Sequence, residues 1–276
     1  MTDWIETYRG SVPPWECDIT EHFTIGFYFD RIGQAELNLA EKLGLSETLR
    51  GGGFARRYVT RFARELRAGA GLHIDSAPIG VDDGLRLGHK VQDSASDETV
   101  TWVDSTWEIE ADAGLHGKLA AWDGPPLEKR PEPKSADGFF PTGGGRVRPG
   151  DIDENGRYAL ASYVHRFTDS SLQLSSAIGM SAAYLAANRR GFSTFEVAMR
   201  IAGPLVLGEP FTVATGITHL GNSSMRFVHV LRKARTGEEV ARLGQYGVNL
   251  DLDARRPAGW PAECRARAQA LVVPAE

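Results

Sequence analysis

One pattern in this 276-residue chain occurs twice. Arg61-x-x-x-x-Leu66-x-x-Gly69 returns as Arg200-x-x-x-x-Leu205-x-x-Gly208, an offset of 200 − 61 = 139. Leu85-Arg86-Leu87-Gly88-His89 returns as Met225-Arg226-Phe227-Val228-His229, and Val100 as Val240, each offset by 140 (229 − 89; 240 − 100). Self-similarity over such a span implies two copies of one folding unit, which pack most simply as a pseudo-dimer.

The copies divide the sequence into residues 1–123 and 146–276. Between them lies GPPLEKRPEPKSADGFFPTGGG, residues 124–145, which reads as a linker because it has no sustained period and is rich in proline, glycine and charge. In the first copy TYRGSVPPWECD reads as a strand confined to an edge by Pro13 and Pro14. Residues 25–43 read as a long amphipathic helix. Tyr28, Ile32, Ala35, Leu39 and Leu43 fall on one face, Asp30, Gln34, Asn38 and Glu41 on the other, and Gly44 closes it. After the glycine loop Gly51–Gly53, runs at 57–66, 72–81, 85–91 and 99–109 read as strands, with a hairpin signal at Asp82-Asp83-Gly84. Sequential hairpins give an antiparallel sheet. In the second copy 158–168 reads as a strand and 172–187 as a helix closed by Gly191. Strands follow at 192–202, 211–219, 225–233 and 239–250, and then an extended tail with a short helical end. In this reading Asp169 is the counterpart of Asp18 (169 − 18 = 151), Gln173 replaces His22 and Gly179 replaces Tyr28, which makes the second copy degenerate.

The net charge of −5 argues against a nucleic-acid partner, which calls for a basic surface. No apolar run is long enough to span a bilayer, and MTDWIETYRG lacks the form of a signal peptide. Cys17 and Cys264 have no metal or redox spacing, so the expectation is a reduced, cytoplasmic protein without metal or cofactor.

The turn Asp18-Ile19-Thr20-Glu21-His22, followed by Thr24 and Tyr28, is the stretch with chemical character. It resembles the motif of the hot-dog fold: aspartate, a Gly-His pair three and four residues on, asparagine at plus six and tyrosine at plus ten. Asp18, His22 and Tyr28 match, while Glu21 and Thr24 stand in place of the glycine and asparagine. With YRGSVPPWECD before the motif and RFVHVL, TGEEVA and VNLDLDARRPAGWP near the end, the chain resembles acyl-CoA thioesterases of the 4-hydroxybenzoyl-CoA type, nearest the branch that includes betainyl-CoA thioesterases.

The resemblance implies an α+β chain of two tandem hot-dog units, each an antiparallel sheet wrapped around a long helix. It implies hydrolysis of an acyl-CoA thioester to a carboxylate and coenzyme A. A non-catalytic acyl-thioester-binding protein is the alternative, and an enoyl-CoA hydratase a further one. The resemblance places the catalytic aspartate at Asp18. A helix N-terminus at His22–Ile25 would supply oxyanion donors, with His22 and Thr24 beside it. Asp18 also reads as a plain turn or cap residue, and His22 as a polar residue at a helix start. Tyr28 and Glu36 are candidate substrate contacts, although Tyr28 lies on the apolar stripe. Asp30 and Glu36 compete as mid-helix carboxylates. Arg57 and Arg61 are candidates for the phosphates of coenzyme A, against the reading of a solvated strand face. His89 and His229 read as structural, and a homodimer of pseudo-dimers is a candidate assembly.

Overall fold

The computed structural model describes residues 4–47, 55–109, 113–126 and 130–275, so the Gly51–Gly53 loop lies outside the described residues. The chain divides into two units, residues 1–127 and 128–276.

The first unit runs β1 (Ile5–Ser11), α1 (Ile25–Leu43), β2 (Ala55–Phe62), β3 (Gly71–Gly80), β4 (Leu85–Asp93), β5 (Glu98–Trp107) and a short α2 (Ala113–His116). Its strands form an antiparallel sheet in the order β1-β3-β4-β5-β2. β1 is an edge strand, and Pro13 and Pro14 follow it at a tight helical turn, Pro14–Glu16, where no sheet hydrogen bond is lost. α1 buries the face read from the sequence, including Tyr28, Ile32, Ala35 and Leu39, and packs against β1 and β3. Gly44 ends it at φ 77°, a left-handed conformation that glycine adopts without a Cβ penalty.

The second unit runs β6 (Phe140–Arg146), α3 (Leu160–Ala177), α4 (Ala182–Asn188), β7 (Arg190–Ile201), β8 (Pro210–Leu220), β9 (Ser224–Lys233), β10 (Glu239–Asp251), β11 (Arg256–Pro257) and α5 (Ala262–Gln269). Its sheet order is β6-β8-β9-β10-β7, with β11 on β10, so β6 stands where β1 stands in the first unit.

Three expectations change here. Residues 160–177 are helix, although 158–168 read as a strand. Their buried residues Tyr163, Val164, Phe167, Ser170 and Leu174 recur at helical spacing. Gly179, at φ 89°, separates this helix from α4, so the 172–187 helix is two. Finally, Gly143–Gly145 belong to β6 and pair with β8, inside the stretch read as linker. A Cβ on Gly143 would lie 3.3 Å from Ser170 Oγ, so small residues on both elements let β6 and α3 approach.

The preceding stretch is also held down. Arg226 donates to Pro131 O at 2.5 Å and to Glu132 Oε1 at 2.8 Å, and Arg242 donates to Pro133 O. Arg226 and Arg242 are both buried, and these bonds supply part of the polar partnering that a buried guanidinium requires. No helix among the described residues is long and apolar enough to cross a membrane.

Candidate active site

The turn that precedes α1 is built from backbone pairing on both sides. Cys17 bridges Phe23, Asp18 N donates to His22 O at 2.9 Å, and Phe23 N donates to Leu66 O at 2.9 Å. Thr24 N donates to Glu16 O at 3.0 Å, which joins the turn to the start of the helix. Glu16 is buried and accepts from Arg31 Nη2 at 2.6 Å.

Asp18 is exposed, and Oδ1 accepts its three described hydrogen bonds: from Thr20 N at 2.7 Å, Thr20 Oγ1 at 2.6 Å and His22 N at 3.2 Å. His22 is half-buried. Its Nδ1 lies 2.9 Å from Thr20 Oγ1, and its Nε2 lies 3.0 Å from Arg67 Nη2 and 3.4 Å from Glu65 Oε2. Thr24 is the residue that caps α1 by position, but its hydroxyl donates to Glu16 O and makes no cap bond. Thr24 therefore places no side-chain cap on the first turn of α1, where Phe27 N–H donates to Thr24 O at 3.0 Å, and the positive end of the helix lies behind the turn. Trp15 and Ile19 flank Asp18 at 80% and 70% exposure, the two most exposed large hydrophobic residues among the described residues.

Asp18, Thr20, His22 and Thr24 are thus brought together, with Arg67 and Glu65 beside them. The sequence reading missed Thr20, Arg67 and Glu65. The Asp-x-Thr-x-His spacing was a signal for Thr20, but Arg67 and Glu65 arrive through backbone pairing between His22 and Arg67.

The other candidates lie elsewhere. Tyr28 is buried among Phe23 and Phe62, and its hydroxyl accepts Leu66 N–H at 3.4 Å. Burial raises the pKa of that phenol far above the ordinary value, so it stays protonated. Glu36 is 4% exposed and points into the sheet, accepting from Tyr58 OH at 2.8 Å and Trp107 Nε1 at 3.2 Å, with His89 Nε2 3.6 Å away. Asp30 accepts from Gln34 Nε2 at 3.0 Å and from Arg31. Arg57 is exposed beside a bulge in the β2–β5 pairing, and Arg61 donates to Pro126 O at 3.4 Å. Among the described residues no group of three or more His, Cys, Asp or Glu could hold a metal ion.

The second unit builds the same turn from other residues. Ile152 bridges Tyr158 as Cys17 bridges Phe23, and Ala159 N donates to Asp151 O at 2.9 Å as Thr24 N does to Glu16 O. Asp153 Oδ1 accepts from Asn155 N and Arg157 N, both at 2.9 Å. The counterpart of Asp18 is therefore Asp153, at 153 − 18 = 135, and α3 follows α1 at the same offset (160 − 25 = 135). This corrects the pairing with Asp169, which lies within α3 and pairs with Arg166 at 3.3 Å. At this register Gly156, Arg157, Ala159 and Tyr163 match Glu21, His22, Thr24 and Tyr28. The second copy thus keeps aspartate, glycine and tyrosine and lacks the histidine.

Residues 147–268 match the family model of the thioesterase-like superfamily. Among solved structures, a provisionally assigned oleoyl thioesterase from Lactobacillus plantarum shares 15% identity at a TM-score of 0.67, covering 90% of this chain and 97% of its own. An acyl-ACP thioesterase from Bacteroides thetaiotaomicron shares 13% at 0.66, covering 88% and 96%. The 12:0-ACP thioesterase from Umbellularia californica shares 14% at 0.63, covering 89% and 94%. At these identities the likeness is one of fold, the fold of hot-dog thioesterases across both units. No curated protein sequence matches the chain.

Proposed function

We propose that this chain, whose residues 147–268 match the family model of the thioesterase-like superfamily, hydrolyses an acyl-CoA thioester to a carboxylate and free coenzyme A at the Asp18 turn of its first unit. The observation that carries the reading is the turn itself: an exposed carboxylate and a half-buried imidazole at the uncapped N-terminus of a 19-residue helix.

Thioester hydrolysis needs a base for water and donors for the oxyanion that forms on the carbonyl. Asp18 and His22 supply the basic groups. Backbone N–H groups in the first turn of α1 supply the donors, because the Thr24 hydroxyl is engaged at Glu16 O and does not occupy them. Arg57 and Arg61 on β2 are assigned to the phosphates of coenzyme A. Tyr28 and Glu36, both buried, support the site through packing and do not touch the substrate. In this reading the two units pair as a pseudo-dimer, each sheet wrapped on its helix.

The test is thiol release from a panel of acyl-CoAs, run beside the same acyl groups on acyl carrier protein, the carrier named for two of the structurally similar proteins. Release from acyl-CoA supports the reading, and release from the carrier protein alone corrects the carrier. Tight binding without thiol release would make the chain an acyl-thioester-binding protein. Loss of enoyl absorbance without thiol release would make it a hydratase.

A further inference from the structure

The side chains of the Asp18 turn form a chain of hydrogen bonds whose proton directions are fixed by chemistry. A carboxylate only accepts, so the Thr20 hydroxyl donates to Asp18 Oδ1 across 2.6 Å. Its one hydrogen is then used, and Thr20 Oγ1 meets His22 Nδ1, 2.9 Å away, as an acceptor. Nδ1 therefore carries a hydrogen. On the far side of the ring Arg67 Nη2 lies 3.0 Å from Nε2. A guanidinium only donates, so Nε2 presents its lone pair. Both contacts demand the same neutral tautomer of His22, with the hydrogen on Nδ1.

The second unit shows that this chain of contacts is not what folds the turn. Asn155 and Arg157 stand where Thr20 and His22 stand (155 − 20 = 157 − 22 = 135), and their backbone N–H groups close the turn on Asp153 Oδ1 with neither a threonine hydroxyl nor an imidazole at those positions. The Thr20 hydroxyl and the imidazole are additions to a turn that forms without them.

We propose that Thr20 is the positioning residue of the site: it couples Asp18 to His22 and fixes the imidazole so that Nε2 receives the proton of the attacking water. The inference rests on the thioester hydrolase reading. In the step, the water oxygen bonds the thioester carbonyl carbon as one of its protons passes to Nε2. The carbon–sulfur bond then breaks, and the imidazolium returns that proton to the thiolate, leaving acid and thiol. Arg67 is exposed and yields Nε2 to the water, and Glu65 Oε2, 3.4 Å from the same nitrogen, stabilises the imidazolium between the two events.

The experiment is long-range proton–nitrogen NMR on histidine-labelled protein, with the His22 signals identified by their loss in His22→Gln, run alongside steady-state kinetics. The unaltered protein and Thr20→Ser are expected to show Nδ1–H and a bare Nε2. Thr20→Val removes the hydroxyl at near-constant volume and is expected to release the tautomer, with kcat lowered about tenfold or more and KM and Tm unchanged. Thr20→Ser restores the rate. A hydrogen on Nε2 in the unaltered protein, or full kcat in Thr20→Val, overturns the proposal and leaves the hydrolase reading standing. Absence of thiol release from the unaltered protein on every substrate overturns both.

Discussion

Tyr58 donates its hydroxyl hydrogen to Glu36 Oε2 across 2.8 Å, and both residues are buried. Trp107 Nε1 donates to Oε1 of the same side chain at 3.2 Å, so two sheet residues meet the carboxyl group presented by the middle of α1. Removing the acceptor leaves two buried donors without it, and a buried unsatisfied group costs about 1–3 kcal/mol. Glu36→Ala is therefore expected to lower unfolding stability by about 3 kcal/mol or more, and Glu36→Gln, which keeps one acceptor oxygen, by about half as much. Urea unfolding of the two variants checks this. Equal losses would mean that the carboxylate is not what the two donors need.

The second unit meets the same helix position with a hydroxyl. Ser171 stands at 171 − 36 = 135, and its Oγ lies 3.0 Å from His229 Nε2. His229 Nδ1 lies 2.6 Å from Thr215 Oγ1, which lies 2.7 Å from Thr142 Oγ1. The first unit repeats this outer part as Thr7, Ser76 and His89, each step at 2.7 Å. Burial pushes the pKa of His229 down to about 3. An unfolded histidine titrates near 6.5, so below that pH the unfolded chain takes up a proton that the folded chain refuses. The stability linked to His229 is complete above about pH 6.5 and falls by about 1.4 kcal/mol per pH unit on the way down to the folded value. Unfolding titrations between pH 7 and 4 should show a slope in the parent that is shallower by about one proton in His229→Gln. Identical slopes would show that the imidazole is not held neutral.

The corrected register of the repeat changes the pair of variants that locates the site. Asp18→Asn is expected to reduce thiol release by about a hundredfold or more, the range for loss of a proton-transfer group or of what orients it. Asp153→Asn is expected to leave the rate within about twofold, because Arg157 stands where His22 would be and the relay has no imidazole there. Asp169→Asn, at an exposed residue paired with the half-buried Arg166, serves as the control away from the turn. A larger loss from Asp153→Asn than from Asp18→Asn would move the chemistry to the second unit.

The bounds of α1 and of β3 to β5 were legible because their periodicity matches what they bury, and Gly44 and Gly84 mark ends with left-handed turns, whereas the run read as a strand over 57–66 is β2 only as far as Phe62. α3 was not, for two physical reasons. Tyr158, Leu160, Ser162 and Val164 alternate at the start of the segment, as a half-buried strand does. Its helical stripe runs through Ser170, a small polar residue that is fully buried because Gly143 lets β6 come close. β6 itself is hidden by three glycines with no strand propensity; pairing with β8 makes it a strand. Because the start of α3 reads as a strand, the sequence aligns Asp169 with Asp18, a position that Asp153 holds in the structure. At the site, Asp18 and His22 were legible from spacing. Arg67 and Glu65 were not, since they reach His22 from a different segment of the chain.

Glu21 separates the two turns most sharply. It holds φ 64°, a left-handed conformation uncommon for a residue with a side chain, and donates its N–H to Asp18 O at 3.0 Å. Gly156 holds φ 74° at the equivalent place and donates to Asp153 O at the same distance. The backbone thus asks for glycine at both positions, and the first unit meets the demand with a strained glutamate. Glu21→Gly relieves that strain but adds freedom to the unfolded chain, so the expected net gain is about 0.5–1 kcal/mol, read as a rise in Tm. Glu21 also brings a second negative charge near Asp18. It is exposed, where solvent screens its field, so the pH–rate profile of Glu21→Gly is expected to superpose on that of the parent. A lower Tm would show that the glutamate side chain makes contacts worth more than the strain. A displaced profile would show that its charge acts on the proton transfer.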